Sequence, residues 1–334
     1  MGIILQYNND ISKEQWLANR NLTLGASEVS PVCFGSKYTS NLEIFYQKVT
    51  GIKWSIQNIR TYTGHLSESI VDGFYPYYEG TEESVYLNGD AGKKLRTVEN
   101  RNVTGINSKW PHLSATPDRF TTYNDGKKVL TEYKNTQSYV LKMWKPGLPL
   151  DNVIQNLTQC KIFEYQYGEL FYYIDNMKFE LHELDAKLYN KQWQLVLDRT
   201  TPFWENVEKG RKIYNQMYEA KRNYNMKLAN ELDVELQKLE PPIQYTDGYL
   251  KFINEKYKNR AQLGGREATA AEIEYAKRYA DIVKKIDKLE KEKQQIETML
   301  RTSMKDVSIL NLGKHGNVTW QQYESRRVFK VNYK

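Results

Sequence analysis

Between residues 41 and 51, NLEIFYQKVTG, the apolar Leu42, Phe45 and Tyr46 fall on one side of a 3.6-residue period, and Gly51 supplies a stop. That spacing predicts an amphipathic scaffold helix. Upstream, 11–19 opens on Ser12 with Gln15 three residues later, a capping-box start for a short helix. Residues 20–35, RNLTLGASEVSPVCFG, turn through Gly25-Ala26-Ser27 into a second helix. A further helix is predicted over 63–78, with Leu66, Ile70 and Phe74 as its packed stripe and Glu68 at the border. Short strands are expected at 84–87 and 102–106.

The pattern then changes to alternation. In SATPDRFTTYNDGKKVLTEYK, residues 114–134, the Asn124-Asp125-Gly126 turn predicts a β-hairpin closing between Tyr123 and Lys127. This register sets Asp118 opposite Glu132 and puts Glu132 and Lys134 on one sheet face, with Tyr133 on the other. One or two helical turns are expected over 138–144, then a loop at Lys145-Pro146-Gly147, then a helix over 151–167 that buries Val153, Leu157 and Ile162. Gln155 and Gln159 share one face of that helix. A second hairpin turns at Asn176, within 169–184.

Beyond about residue 185 the pattern is helical, broken at Pro241-Pro242 and Gly264-Gly265. Tyr275, Tyr279, Ile282, Ile286, Leu289, Lys293, Ile296 and Leu300 follow a four-three spacing, that of a coiled-coil seam with one polar member. Residues 317–332 alternate like a closing hairpin, with Arg326 and Arg327 near its turn.

Composition narrows the chemistry. A net charge of +7 and a pI near 9.0 favour a polyanionic partner. Cys33 and Cys160 are the only cysteines, which excludes a disulfide framework and a four-thiolate zinc or iron–sulphur site. The first residues lack a signal peptide's basic flank and apolar run, and no window approaches a membrane span, so a reducing cytoplasmic setting is expected. His112, just ahead of the first hairpin, reads as a structural residue.

Two carboxylates face to face repel unless a cation lies between them. Asp118 and Glu132 therefore make a candidate site for a hard divalent ion, with Glu68 as a third oxygen donor. Such an ion would polarise a phosphate and lower the pKa of a bound water, with Lys134 steadying the water or the developing charge. Arg20, Ser27 and a helix N-terminus would suit a phosphate.

In order and spacing these motifs resemble the YqaJ-type viral recombinase family, the lambda-exonuclease-like branch of the PD-(D/E)XK nucleases. The matching blocks are Arg20 with Gly25-Ala26-Ser27, the segment 38–51, Gly64-x-x-x-Glu68, Thr116-Pro117-Asp118, Glu132-Tyr133-Lys134 and Gln155-x-x-x-Gln159. Tyr133 departs from the pattern, standing where a small apolar residue is usual.

The resemblance implies an α+β protein: a restriction-endonuclease-like α/β/α core around a central mixed sheet over 1–190, a helical coiled-coil region over 191–312, and a small C-terminal β-hairpin over 313–334. It implies Glu68, Asp118, Glu132 and the Tyr133 backbone carbonyl as metal ligands, Lys134 as catalytic lysine, and Gln155 as a positioning group. Arg20 and Ser27 would hold a 5′-phosphate. The implied activity is Mg²⁺-dependent 5′→3′ digestion of linear double-stranded DNA, with Mn²⁺ able to substitute and no iron–sulphur cluster. The 3′ single-stranded tails would pass to a single-strand annealing protein in the cytoplasm of a bacterial host, and the family is compatible with a homo-oligomer. Two other readings share the residues: an endonuclease or single-strand nuclease with the same core, and a non-catalytic DNA-binding or assembly module.

Overall fold

A computed structural model describes residues 2–53, 59–141, 147–258, 265–323 and 326–333. The chain divides into two compact units, Met1–Asn259 and Arg260–Lys334. The predicted Lys145-Pro146-Gly147 loop, the end of the 138–144 segment and the Gly264 break lie largely outside the described residues.

The first unit begins with β1 (Ile3–Tyr7) and α1 (Lys13–Asn21), whose start is the expected Ser12–Gln15 capping box. β2 (Leu24–Gly25) leads into α2 (Ala26–Phe34), and α3 (Asn41–Thr50) stops at a left-handed Gly51. Next come α4 (Ile59–Phe74) and α5 (Glu82–Asp90). The latter overturns the strand expected at 84–87: Thr81 accepts a hydrogen bond from the Ser84 N–H and caps a helix there.

The sheet elements follow as β3 (Arg96–Glu99), β4 (Val103–Asn107), β5 (Leu113–Ser114), β6 (Arg119–Tyr123) and β7 (Lys128–Thr136). After the short α6 (Ser138–Leu141), α7 (Leu150–Phe163) leads to β8 (Tyr167–Ile174) and β9 (Lys178–Asp185). α7 ends at a left-handed Glu164, so the 151–167 helix is shorter than its pattern suggested. The helices α8 (Asn190–Arg222), α9 (Met226–Gln237) and α10 (Asp247–Tyr257) complete this unit.

Five strands form the central sheet in the order β3-β6-β7-β8-β9. It is mixed, because β7 and β8 run parallel while the other pairs are antiparallel. A parallel pair needs a crossover, and α7 lies within it. The first hairpin has the expected register, with Arg119 opposite Thr131 and the Tyr123 N–H bonded to the Lys127 carbonyl. Gly126 takes φ +87°, the conformation its turn requires.

Helices cover both faces. On one, Leu130, Ile154, Leu157, Ile162, Phe45 and Phe203 join a core built with α2, α3, α7 and α8. On the other, Val71 and Tyr75 pack with Tyr133, Phe171 and Phe179. Alternation along β7 thus sends Leu130 and Tyr133 to opposite layers.

The packed stripe of α4 differs from the predicted one. Ser67 and Val71 are buried, with Tyr75 just beyond the helix, whereas Leu66 and Ile70 are exposed. The aromatic face of the sheet selects the stripe that meets it, and apolar spacing alone could not identify that partner.

The second unit consists of α11 (Ala270–Met304), β10 (Ile309–Asn311), β11 (Gly316–Tyr323) and β12 (Arg326–Tyr333). The predicted closing hairpin is present and gains β10 as a third strand. No described helix is long and apolar enough to cross a membrane.

Candidate active site

β6 begins one residue after Asp118, while Glu132 lies within β7. Past the Arg119–Thr131 pair, Asp118 leaves the ladder, and its Oδ2 accepts the Tyr133 N–H at 2.8 Å. A strand residue's N–H and C=O point to the same neighbour, so the Tyr133 carbonyl also faces the side that β6 has vacated. The Tyr133 side chain goes the other way, and its hydroxyl donates to Asp72 at 3.1 Å.

Glu132 is almost fully buried and its oxygens are well partnered. Oε1 accepts from Lys134 Nζ at 2.7 Å and from Gln155 Nε2 at 2.6 Å, and Oε2 accepts from Gln159 Nε2 at 2.6 Å. Lys134 also donates to Gln155 Oε1 at 3.0 Å. Gln159 is oriented in turn by Asn156, whose Nδ2 donates to Gln159 Oε1 at 3.2 Å and to the Leu130 carbonyl at 3.1 Å. The bonds that involve Glu132 and Lys134 are charge-assisted and lie in a poorly hydrated place, where they hold geometry strongly.

The approach of α7 depends on a glycine. A Cβ on Gly168 of β8 would lie 2.0 Å from Asn156 Oδ1 and 2.7 Å from Cys160 Sγ. Only a residue without a side chain lets α7 settle this near the sheet and bring Gln155 and Gln159 to Glu132.

Electrostatics follow from the crowding. Burial, and then the Glu132 charge, raise the Asp118 pKa well above the ordinary carboxylate value. Burial works against the Lys134 ammonium, but Glu132 and Asp118 together hold its pKa above that of an ordinary lysine. A second cation beside Asp118 would relieve the repulsion that Lys134 only partly balances.

Asp118, Glu132 and Gln155 line a cleft of about 300 Å3 that Arg20 and Ser27 also line. Arg20 Nη2 donates to Ser27 Oγ at 3.3 Å, and its guanidinium lies 5.3 Å from the Trp16 ring centre. Beneath them the buried Lys48 bonds the Arg20 carbonyl at 2.8 Å and pairs with Glu28 at 2.7 Å. Glu28 also accepts the Gly25 N–H at 2.8 Å, which fixes the turn into α2. Lys48, read from the sequence only as part of a scaffold helix, is thus a support for the Arg20 wall.

Glu68 is placed differently from Glu132. It sits on α4, which packs against the Tyr133 face, and its Oε2 lies 3.9 Å from Arg119 Nη2. Arg119 clamps Asp72 through two bonds of 2.7 and 2.6 Å and donates to the Asp118 carbonyl at 2.6 Å. Among the described residues no three acidic, imidazole or thiol groups converge on a cation position. The oxygen donors gathered here are those of Asp118, Glu132 and the Tyr133 carbonyl. Their chemistry fits a hard divalent ion that keeps several of its waters.

Sequence reasoning assigned no role to Gln159, Asp72 or Arg119. The four-residue spacing of Gln155 and Gln159 was the available signal for the first. Nothing local marked the Asp72–Arg119 clamp, which joins residues 47 apart. His112 is structural as expected, its Nε2 lying 3.1 Å from Thr200 Oγ1.

Fold and site together define an α+β chain with a mixed-sheet core that carries a carboxylate–lysine centre at the open end of a hairpin. No family model matches the chain. The particular likeness is to YqaJ of Bacillus subtilis (strain 168), 21% identical over 329 residues, covering 97% of this chain and 88% of that protein. That end-to-end likeness agrees with the YqaJ-type family read from the motifs. Among solved structures, the alkaline exonuclease LHK-Exo from Laribacter hongkongensis aligns at 20% identity and TM-score 0.44, over 63% of this chain and 99% of that one. The structure of SSO0001 aligns at 13% identity and TM-score 0.27, over 59% of this chain and 85% of that one.

Proposed function

We propose that this chain is a divalent-metal-dependent deoxyribonuclease that digests linear double-stranded DNA from its 5′ ends. One observation carries the reading: the Asp118–Glu132–Lys134 centre and the Arg20–Ser27 wall line or adjoin a single cleft in a chain of net charge +7. The carboxylates alone would suit many hydrolases. Their pairing with a cationic wall suits a phosphodiester beside a terminal phosphate.

In this reading Asp118, Glu132 and the Tyr133 carbonyl hold the ion, with Glu68 joining them from α4. Mg²⁺, or Mn²⁺ in its place, supplies Lewis-acid polarisation of the phosphate and a more acidic water. The chain's own groups do the positioning. Lys134, held between Glu132 and Gln155, presents its remaining ammonium proton to an in-line water or to the charge growing on the phosphate. Gln155 and Gln159 keep Glu132 oriented as an acceptor. Arg20 and Ser27 hold the terminal phosphate, which sets polarity and leaves a 3′ strand for an annealing protein.

End-labelled linear duplex, with a covalently closed circle as control, tests the proposal. Mg²⁺-dependent loss of linear duplex from its 5′ ends, with the circle intact, is the expected result. Cutting of the circle would establish an endonuclease instead. No digestion with either Mg²⁺ or Mn²⁺ would favour a binding module.

A further inference from the structure

The backbone around Arg20 works against an anion. The last four carbonyls of a helix have no partners within it and carry its negative pole. Arg20 lies in the last turn of α1, so those carbonyls sit beside the Arg20–Ser27 wall. α3 brings the same pole of a second helix to the same place, because Lys48, in its last turn, bonds the Arg20 carbonyl at 2.8 Å. A phosphate held by Arg20 meets two negative helix ends unless they are capped.

Two cations supply the caps. Lys48 takes the Arg20 carbonyl, and Arg211 of α8 reaches both helices. Arg211 Nη2 donates to the Asn21 carbonyl, 190 residues away in sequence, and its Nε donates to the Lys48 carbonyl at 2.9 Å. The packing of α8 fixes this reach. A Cβ on Gly210 would lie 2.9 Å from Val49 Cγ2 of α3, so a glycine there lets the helices close up just where Arg211 leaves α8. The Arg211 guanidinium also lies 5.0 Å from the ring centre of Trp204, which is itself buried.

The local charge favours an anion once the poles are capped. Burial lowers the Lys48 pKa against the pull of Glu28, and the Arg20 and Arg211 charges lower it further. Three cations thus gather here, with Glu28 among them and Glu208 acting on Arg211 from α8. Given the reading of the Arg20–Ser27 wall as the phosphate site, on which this rests, we propose that Arg211, together with Lys48, is a positioning residue for the terminal phosphate. By capping the converging ends of α1 and α3 it reverses the sign of the backbone field under Arg20.

Initial rates on blunt duplexes with 5′-phosphate or 5′-hydroxyl ends, over a range of duplex concentrations at saturating Mg²⁺, test this. Circular dichroism confirms that each variant is folded. Arg211→Gln should raise KM for phosphorylated ends about fivefold, the size of a charge effect at a helix end, with kcat held and 5′-hydroxyl ends changed less than about twofold. Lys48→Met, which removes the other cap, should show the same split, and Arg211→Lys should recover most of the loss. A wild type that prefers phosphorylated ends, with an Arg211→Gln variant that keeps the whole preference, overturns this proposal alone. So does an equal loss on both kinds of end, which would make Arg211 a support of the fold only. A wild type that treats the two ends alike overturns the phosphate wall and this proposal with it.

Discussion

Gln159 donates a 2.6 Å hydrogen bond to Glu132 Oε2 from a fully buried position, so a neutral amide anchors one oxygen of the buried carboxylate. Replacing it with a residue of similar volume but no donor strips that oxygen of the Gln159 hydrogen bond. Gln159→Leu should cost about 1–3 kcal/mol of stability. Thermal denaturation measures the loss, and an unchanged midpoint would mean that Glu132 has another partner ready.

Asp118 and Lys134 differ in what they should control. Asp118→Asn removes an oxygen charge that a divalent ion would use, and Lys134→Ala removes a positioned donor. Both are expected to lower duplex digestion by on the order of 10²-fold or more. Binding separates them: Mg²⁺ should raise the melting temperature of the wild type and of Lys134→Ala, but not of Asp118→Asn. A wild type indifferent to Mg²⁺ and Mn²⁺ would remove the metal role from these carboxylates.

The Arg20–Ser27 wall predicts a preference for 5′-phosphorylated over 5′-hydroxyl ends. Arg20→Ala should shrink that preference about tenfold, the worth of one charge-assisted bond of roughly 1.5 kcal/mol. Equal wild-type rates on the two ends would sever this wall from phosphate recognition.

Burial holds the His112 imidazole below its ordinary pKa of 6.5. Above that value both folded and unfolded states carry it neutral, and it adds no pH dependence. As pH falls below 6.5 the unfolded chain takes up the proton first, so stability declines until the folded pKa is reached. The drop in melting temperature between about pH 7.5 and about pH 5.5 should therefore be smaller in His112→Gln. An identical drop would assign the acid sensitivity to other groups.

Burial pushes the Cys33 and Cys160 thiols up to about 12. Neither is a thiolate near neutrality, so iodoacetamide should leave the native chain unmodified and label both residues only after denaturation. Mass spectrometry reads the result directly.

The hairpin, its turn and its register were legible because they depend on local signals, namely Asn124-Asp125-Gly126 and strict alternation. The same holds for the Ser12 cap and the Asn176 turn. For the packed stripe of α4 the deciding partner was distant in sequence. α4 turns Val71 inward because Tyr133 and Phe171 await it, and no spacing within α4 names those residues. The helix at Glu82–Asp90, where a strand was expected at 84–87, was legible in principle through the Thr81 cap. At the centre, types and order of residues pointed to Asp118, Glu132, Lys134 and Gln155. The clamp of Arg119 on Asp72 was hidden for the same reason as the α4 stripe.

Tyr133 touches both layers of the molecule at once. Its backbone N–H steadies Asp118 on the cleft side, while its hydroxyl reaches Asp72 among the α4 aromatics. The barrier between the reactive cleft and the aromatic layer is therefore one residue thick. A change confined to that layer, such as a smaller Tyr75 or Phe171, should shift the Asp118 carboxylate without touching the cleft, so the aromatic packing behind Tyr133 sets the tolerances of the centre.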